Sequence, residues 1–178
     1  MAKIMTDIVG IETILEYIRT TSLPRINGEG SYNFTPALIS RNFQMPQNVG
    51  ITNMPAIFIV DTGWVDITAE TGCEYTTGNN ITGIDNGYFV SLFGVVNIAD
   101  CFDDSGKLSE EMNKLHSDMI IAMHNDTSGA TATADDNLGG LVDAMVLTKR
   151  FNSLEYIDEK IGIALQIYSL KFQFTPYL

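Results

Sequence analysis

The sequence predicts an α+β fold: a mixed, mainly antiparallel sheet with two amphipathic helices packed on one face, and long loops between the elements. Two segments carry apolar residues at helical spacing, one near the N-terminus and one in the middle of the chain. Several short apolar segments rich in β-branched residues are typical of strands. Their order is helix, strands, helix, strands, which lacks the regular alternation of a parallel βαβ fold.

The length of 178 residues and the hydrophobic content of 45% are typical of one globular domain, which we expect to span residues 1–178. We expect its long loops at about 25–53, 70–86 and 125–138. A chain of this size buries about 70% of its extended surface on folding, which is enough for a core without disulfides or metals.

The charge is strongly acidic, with 10 Lys+Arg against 22 Asp+Glu and a net charge of −12. Because such a chain repels phosphate groups, we expect no specific binding to nucleic acid. No segment reaches 18 apolar residues, so we expect no membrane-spanning helix. The first residues lack the apolar run of a signal peptide, and Cys73 and Cys101 are predicted to be reduced thiols in a cytoplasm.

The first predicted element is a helix over about Thr6–Thr20, which Pro24 prevents from continuing. Its apolar stripe consists of Ile4, Ile8, Ile11, Leu15 and Ile18. The segment Arg25–Asn53 is rich in Asn, Gly and Pro, and we predict a long loop there with one short strand around Ala37–Phe43.

The segment Pro55–Asp61 predicts a central strand, and Thr62-Gly63 predicts a turn into a return strand at Trp64–Thr68. The Gly-, Thr- and Asn-rich segment Glu70–Asp85 is predicted to be a projecting hairpin or arm.

A second turn is predicted at Asp85-Asn86-Gly87, followed by a long strand over Tyr88–Ala99. The second helix is predicted to begin at Ser109, where Glu110 and Glu111 favour the positive end of the helix dipole. Its apolar stripe consists of Leu108, Met112, Leu115, Met119 and Met123.

After a small-residue loop at Asn125–Asn137, Leu141–Leu147 predicts a strand with a bulge at Ala144. The last strand is predicted over about Gly162–Phe174. Both of its faces mix apolar and polar residues, which is typical of a sheet with helices on one side and a partner on the other.

The residue types that carry chemistry do not form a recognisable pattern. His116 and His124 lie about 12 Å apart along one helix, too far to share a metal, and we interpret both as helix surface. The run Asp103-Asp104-Ser105-Gly106 lacks the spacing of a calcium-binding loop. We therefore predict no catalytic, cofactor-binding or metal-binding residues, and a protein that is not an enzyme.

One order of segments matches a known family. The N-terminal helix precedes Pro55-Ala56-Ile57-Phe58-Ile59-Val60. A long strand and a helix follow, and then Leu138-Gly139-Gly140-Leu141-Val142-Asp143. A short acidic turn with Glu155 leads to the final strand at Gly162-Ile163-Ala164. In order and spacing, from about residue 4 to 174, the chain resembles the tail terminator (tail completion) and neck proteins of long-tailed bacteriophages.

The resemblance implies a non-enzymatic virion protein that is assembled in the host cytoplasm and forms a ring, usually a hexamer. Such a ring caps the tail tube, ends tube polymerisation and joins the tail to the head connector or neck proteins, while DNA passes through its lumen without specific binding. We expect the long loops to order on contact with neighbouring subunits. Their candidate subunit-interface residues are Gly72, Tyr75, Asn79, Asn80, Asp126, Gly129 and Asp135.

Three alternatives stay open. The chain could be another ring subunit of the phage tail tube or neck. It could be an acidic cytosolic enzyme whose site forms only in the fold, for example from Asp61, Asp66 and Asp100. It could also be an adaptor domain that forms no ring.

Overall fold

The computed structural model describes residues 8–65, 84–97, 105–126, 133–134, 138–142, 144–153 and 161–174. In these ranges the helices are α1 (Ile8–Tyr17) and α2 (Ser105–His124). The strands are β1 (Leu38–Ser40), β2 (Ala56–Val65), β3 (Ile84–Asn97), β4 (Asn125–Asp126), β5 (Thr133–Ala134), β6 (Ala144–Ser153) and β7 (Ile161–Phe174).

Five of the strands form one mixed sheet in the order β1-β2-β3-β7-β6. Strand β1 runs parallel to β2, and the other neighbours are antiparallel. Strands β4 and β5 pair separately. Side chains of both helices share one core with the side chains of one sheet face, which we call the inner face. The predicted α+β class, with a mainly antiparallel sheet and two helices on one face, is confirmed.

Helix α1 contributes its apolar stripe to the inner-face core. Leu15 and Ile18 are buried and Ile11 is half-buried, as the stripe predicts. Ile14, which the predicted stripe omits, is also buried, so the stripe is wider than the spacing of four and three indicates. The chain continues through a π-helical turn and then a 3₁₀ turn, Leu23–Arg25, that contains Pro24.

Helix α2 lies across β3 and β7, and the predicted residues Met112, Leu115, Met119 and Met123 are buried beneath it. The predicted start at Ser109 is wrong, because the helix begins one turn earlier, at Ser105. The predicted stripe already includes Leu108, which precedes Ser109. For Leu108 to lie on the same helix face as Met112, the helix must begin before Leu108.

Two predicted turns are wrong. Thr62-Gly63 lies inside β2, where the strand carries a bulge between Asp61 and Gly63, and the Thr62 hydroxyl lies 2.8 Å from the Ser91 hydroxyl. Asp85-Asn86-Gly87 lies inside β3, which begins at Ile84. Both segments pair with a neighbouring strand, and these ladder hydrogen bonds outweigh the local preference for a turn.

The predicted strand at Leu141–Leu147 is shifted along the chain. Residues 138–142 form a turn in which Gly139 and Gly140 adopt φ of 69° and 81°, the left-handed region that suits glycine. Strand β6 begins at Ala144 and runs to Ser153, and its bulge falls between Leu147 and Lys149 instead of at Ala144.

The predicted return strand at Trp64–Thr68 is wrong in its described part, because Trp64 and Val65 continue β2 and pair with β3. The other strand predictions are confirmed where the structure describes them. Strand β7 covers the predicted final strand with the predicted alternation of faces, and β1 lies within the predicted Ala37–Phe43 segment. The predicted loop at Asn125–Asn137 contains the paired strands β4 and β5. The predicted arm at Glu70–Asp85 lies outside the described residues except for its last two positions. None of the described helices has the length and hydropathy needed to cross a membrane.

Gly94 on β3 lies directly beneath two side chains of α2. A Cβ atom at this position would lie 2.5 Å from Leu115 Cδ2 and 3.2 Å from Met119 Cε. We predict that Gly94→Ala lowers the free energy of unfolding by about 1–3 kcal/mol, because the Leu115 and Met119 side chains must shift to make room for the added methyl group. Denaturant unfolding measures the change.

Gly50→Ala is the matched control. Its backbone φ is −60°, and the nearest atoms to an added Cβ lie 3.7 and 3.8 Å away, at ordinary contact distance. We expect a change within about 0.5 kcal/mol. Equal stability of the two variants would contradict the close packing of α2 on β3.

Candidate interaction surface

The face of the sheet opposite the helices, which we call the outer face, is covered on the side of β1 and β2. Val49, from the connection between these strands, is buried with Ala56, Phe58 and Val95 in a second, smaller core. Its connection includes the 3₁₀ turns Pro46–Asn48 and Ile51–Asn53. The chain thus supplies its own cover for this half of the outer face.

The half of the outer face formed by β7 and β6 is more open. Phe151 is 46% exposed and stands opposite Leu165, and Val146 is 56% exposed and stands opposite Ser169. Phe43, 43% exposed, borders this area with its ring centroid 5.1 Å from that of Phe93. We call this surface the outer patch: Phe43, Phe93, Val146, Phe151, Leu165 and Ile167.

One charged side chain accompanies the outer patch. Lys149 pairs with Ile167 on the outer side of β6. Among the outer-face strand residues whose side chains the structure describes, Lys149 is the one ionisable group. The described residues as a whole carry 8 Lys+Arg and 9 Asp+Glu, a net charge of −1, whereas the full chain carries −12. Most of the excess acid therefore belongs to the segments that connect the described elements.

The inner side of β6 is held by hydrogen bonds to helix α2. Arg150 Nη2 and Asn152 Nδ2 donate to the side-chain oxygen of Asn113, at 3.0 and 3.3 Å. Because successive side chains of a strand point to opposite faces, anchoring these two residues inward directs Lys149 and Phe151 outward. The hydrogen bonds to α2 therefore determine which side chains of β6 lie in the outer patch.

A buried polar network joins α2 to β7. Gln166 Nε2 donates to the backbone oxygen of His116 at 2.9 Å and lies 3.0 Å from His116 Nδ1. Since a carbonyl oxygen only accepts, this amide nitrogen is the donor, so Nδ1 accepts and the neutral ring carries its proton on Nε2. Gln166 Oε1 accepts from the Tyr168 hydroxyl at 2.7 Å.

The interpretation of His116 as helix surface is therefore wrong, because the side chain is fully buried. Helical spacing places His116 beside the apolar stripe. Its hydrogen-bond partner Gln166, which compensates for the removal of the ring from water, lies 50 residues later in the sequence. Burial lowers the pKa of His116; the Asn152 side chain and the Phe151 backbone oppose this, and the Arg150 charge adds to it. His124 is half-buried, with its ring 6.0 Å from that of Tyr168.

Asp118 fixes the connection that follows α1. Its buried carboxylate accepts from the backbone N–H groups of Asn33 and Phe34, at 2.9–3.0 Å, and from the Asn33 side chain at 2.7 Å. Several donors around one carboxylate compensate for its removal from water. Sequence reasoning missed Asp118, since its partners lie about 85 residues earlier.

A polar depression of about 490 Å³ lies beside this anchor, and it is open to solvent. Lys114 pairs at its edge with Glu110 and Glu111, which neutralises part of the acidic charge at the start of α2. The residues that line it are Asn33, Ser109, Glu110, Asn113, Lys114 and Ser117. In the part of the chain that the structure describes, no three His, Cys, Asp or Glu residues cluster as metal ligands would.

Of the predicted subunit-interface residues, Asp126 lies in β4 opposite Thr133. The others lie outside the described residues: Gly72, Tyr75, Asn79, Asn80, Gly129 and Asp135. The same holds for Cys73, Cys101, Asp66 and Asp100, so the acidic cluster of the enzyme alternative is described only at Asp61. Burial, together with a hydrogen bond to Asp61, raises the pKa of Tyr88.

Comparison of the sequence with protein-family models and with curated proteins finds no match.

The buried histidine predicts a dependence of stability on pH. Because burial holds the pKa of His116 below its ordinary value of 6.5, the unfolded chain binds a proton below that pH that the folded chain does not bind. Stability is then lost as pH falls from about 6.5 toward the folded pKa, by up to about 1.4 kcal/mol per pH unit. Chemical denaturation at several values between about pH 5 and 7.5 measures this slope.

His116→Gln should flatten the slope, since glutamine offers Gln166 an acceptor but does not titrate. If His116→Gln retains that slope in full, the pH dependence has another origin.

Proposed function

We propose that this chain is a virion structural protein of the tail terminator type. It forms a ring, most simply of six copies, on the end of the tail tube of a long-tailed phage. There it ends polymerisation of the tube protein and offers a surface to the head connector or neck proteins. It is assembled in the host cytoplasm and acts by shape and self-association, with no catalytic turnover.

The observation that carries the proposal is the one-sided layering of the sheet. Both described helices pack on the inner face, while the β7–β6 half of the outer face presents Phe151 and Val146 to solvent. Large exposed apolar residues on the face of a hydrogen-bonded sheet are typical of a surface that another protein covers. The order of the elements also supports it, since the same order carries the resemblance to tail terminator proteins.

Growth of a tube continues as long as each new ring offers the face that the next ring binds. A terminator needs one face that complements the tube and a second face that does not bind another tube ring. The acidity suits this position. Six copies at −12 carry −72 in total, and the share that lines the lumen repels the phosphates of passing DNA.

Tube length tests the proposal. Purified protein is added to polymerising tube subunits over a range of concentrations, and the lengths are measured by electron microscopy. We expect shorter or fixed lengths with extra density at one end. An unrelated acidic protein of similar size is the control. Unchanged lengths with no end density at any concentration would contradict the proposal.

A further inference from the structure

We propose that Asn27 is a site of spontaneous covalent modification, at which the backbone nitrogen of Gly28 attacks the side-chain amide and converts the residue to aspartate and isoaspartate. The reaction needs water and no other reagent. It does not depend on the proposed function, because it follows from the chemistry and the geometry of one exposed turn.

The chain contains two Asn-Gly pairs, Asn27-Gly28 and Asn86-Gly87. Glycine favours attack on the preceding side chain, because without a Cβ its nitrogen approaches the amide carbon with little steric hindrance and its backbone rotates freely. The sequence alone assigns the same reactivity to both pairs. The structure distinguishes them.

Asn27 lies in an exposed bend that follows the 3₁₀ turn Leu23–Arg25. The Glu29 N–H donates to Asn27 Oδ1 at 3.0 Å. This hydrogen bond spans Gly28, so it holds the side-chain amide beside the backbone that must attack it. In the part of the chain that the structure describes, no group accepts a hydrogen bond from the Gly28 N–H, so the attacking nitrogen is not held by a ladder or a helix.

The Glu29 N–H also favours the reaction electronically. When the Gly28 nitrogen attacks Cγ of Asn27, negative charge develops on Oδ1, the atom that accepts this hydrogen bond. A donor already in place at the oxygen where charge develops stabilises the transition state. The turn therefore supplies both the positioning and a stabilising donor.

The bonds and protons balance. A bond forms between the Gly28 nitrogen and Asn27 Cγ, the Cγ–Nδ2 bond breaks, and the proton lost from the Gly28 nitrogen leaves in ammonia. The product is a five-membered succinimide. Water then opens the ring at one of its two carbonyl carbons, which gives either aspartate or isoaspartate, whose main chain runs through Cβ. Either product adds one negative charge to the net charge of −12.

The second pair is held by its neighbours in the sheet. Gly87 in β3 pairs with Val65 of β2 on one side and with Lys171 of β7 on the other. The ladder hydrogen bonds and the extended backbone keep the Gly87 nitrogen in the plane of the sheet, so it can attack only after local opening. Since such opening is infrequent in a strand paired on both sides, we expect Asn86 to react at least tenfold more slowly than Asn27 in the folded chain.

Peptide mapping by tandem mass spectrometry tests the proposal on the full chain, incubated in neutral and in mildly alkaline buffer. Trypsin releases residues 26–41 as one peptide, which contains both Asn27 and Asn33. We expect Asn27 to exchange its amide for an acid, in two forms that chromatography separates, and to do so faster at the higher pH because the attacking nitrogen must lose its proton. Asn33, whose side chain donates to the buried Asp118 at 2.7 Å, should remain intact.

Asn27→Ser is the matched control, because serine keeps an oxygen that can accept from the Glu29 N–H but has no amide to lose. This variant should show no conversion in residues 26–41. In denaturant, which removes the strand pairing, Asn86 should react at a rate close to that of Asn27. An Asn27 that stays unmodified in the folded chain while both pairs react in denaturant, or equal rates of Asn27 and Asn86 in the folded chain, would overturn the proposal.

Discussion

The docking of α2 across β3 and β7 is the interaction on which the rest of this structure depends. On β3 the side chains of Leu115 and Met119 lie directly over Gly94, where an added Cβ would be 2.5 Å from Leu115 Cδ2. On β7 the position of the helix is set by hydrogen bonds, because Gln166 Nε2 donates both to the ring and to the backbone oxygen of His116. Apolar packing alone tolerates sliding of a helix, whereas the directional hydrogen bonds of a buried polar network favour one position.

Two other parts of the molecule are hydrogen-bonded to side chains of α2. The carboxylate of Asp118 holds the segment at Asn33 and Phe34, so the connection after α1 is anchored to the same helix. The side chain of Asn113 holds Arg150 and Asn152, so β6 is anchored to it as well. Because the side chains of a strand alternate between its two faces, anchoring Arg150 and Asn152 to α2 directs Phe151 to the outer face. The contacts of the inner face therefore determine which β6 residues lie in the outer patch.

Sequence reasoning predicted what local periodicity controls. The stripes of both helices are confirmed in the members whose burial the structure describes, which leaves out Ile4, Ile8 and Leu108, and so are the alternating faces of β7. Each depends on residues a few positions apart. It failed where distant pairing decides the outcome. Thr62-Gly63 and Asp85-Asn86-Gly87 have turn-forming residues, but both lie in strands paired over their length. His116 and Asp118 were missed as buried anchors because their partners lie 50 and 85 residues away.

The outer patch also depends partly on features that the sequence predicts and partly on pairing that it does not predict. The mixed faces of the last strand predict a partner opposite the helices. The outer residues Leu165, Ile167 and Ser169 of β7 are half-buried, and the partner stays a prediction. Phe151 was not predicted to lie in a strand. Its place opposite Leu165 depends on a bulge after Leu147 that shifts the register by one residue. Such a shift decides which side chains face outward, and the residue composition of β6 does not specify it.

Hydrogen exchange of the β6 amides tests the central claim most directly. The anchoring of β6 to α2 passes through the Asn113 side chain, which accepts from Arg150 and Asn152. We predict that Asn113→Ala makes the amides of residues 144–153 exchange faster than in the unchanged protein, whereas Ser117→Ala, at another exposed position of the same helix, leaves their exchange unchanged. Equal exchange of β6 in the two variants would contradict the claim that the docked helix holds this strand in place.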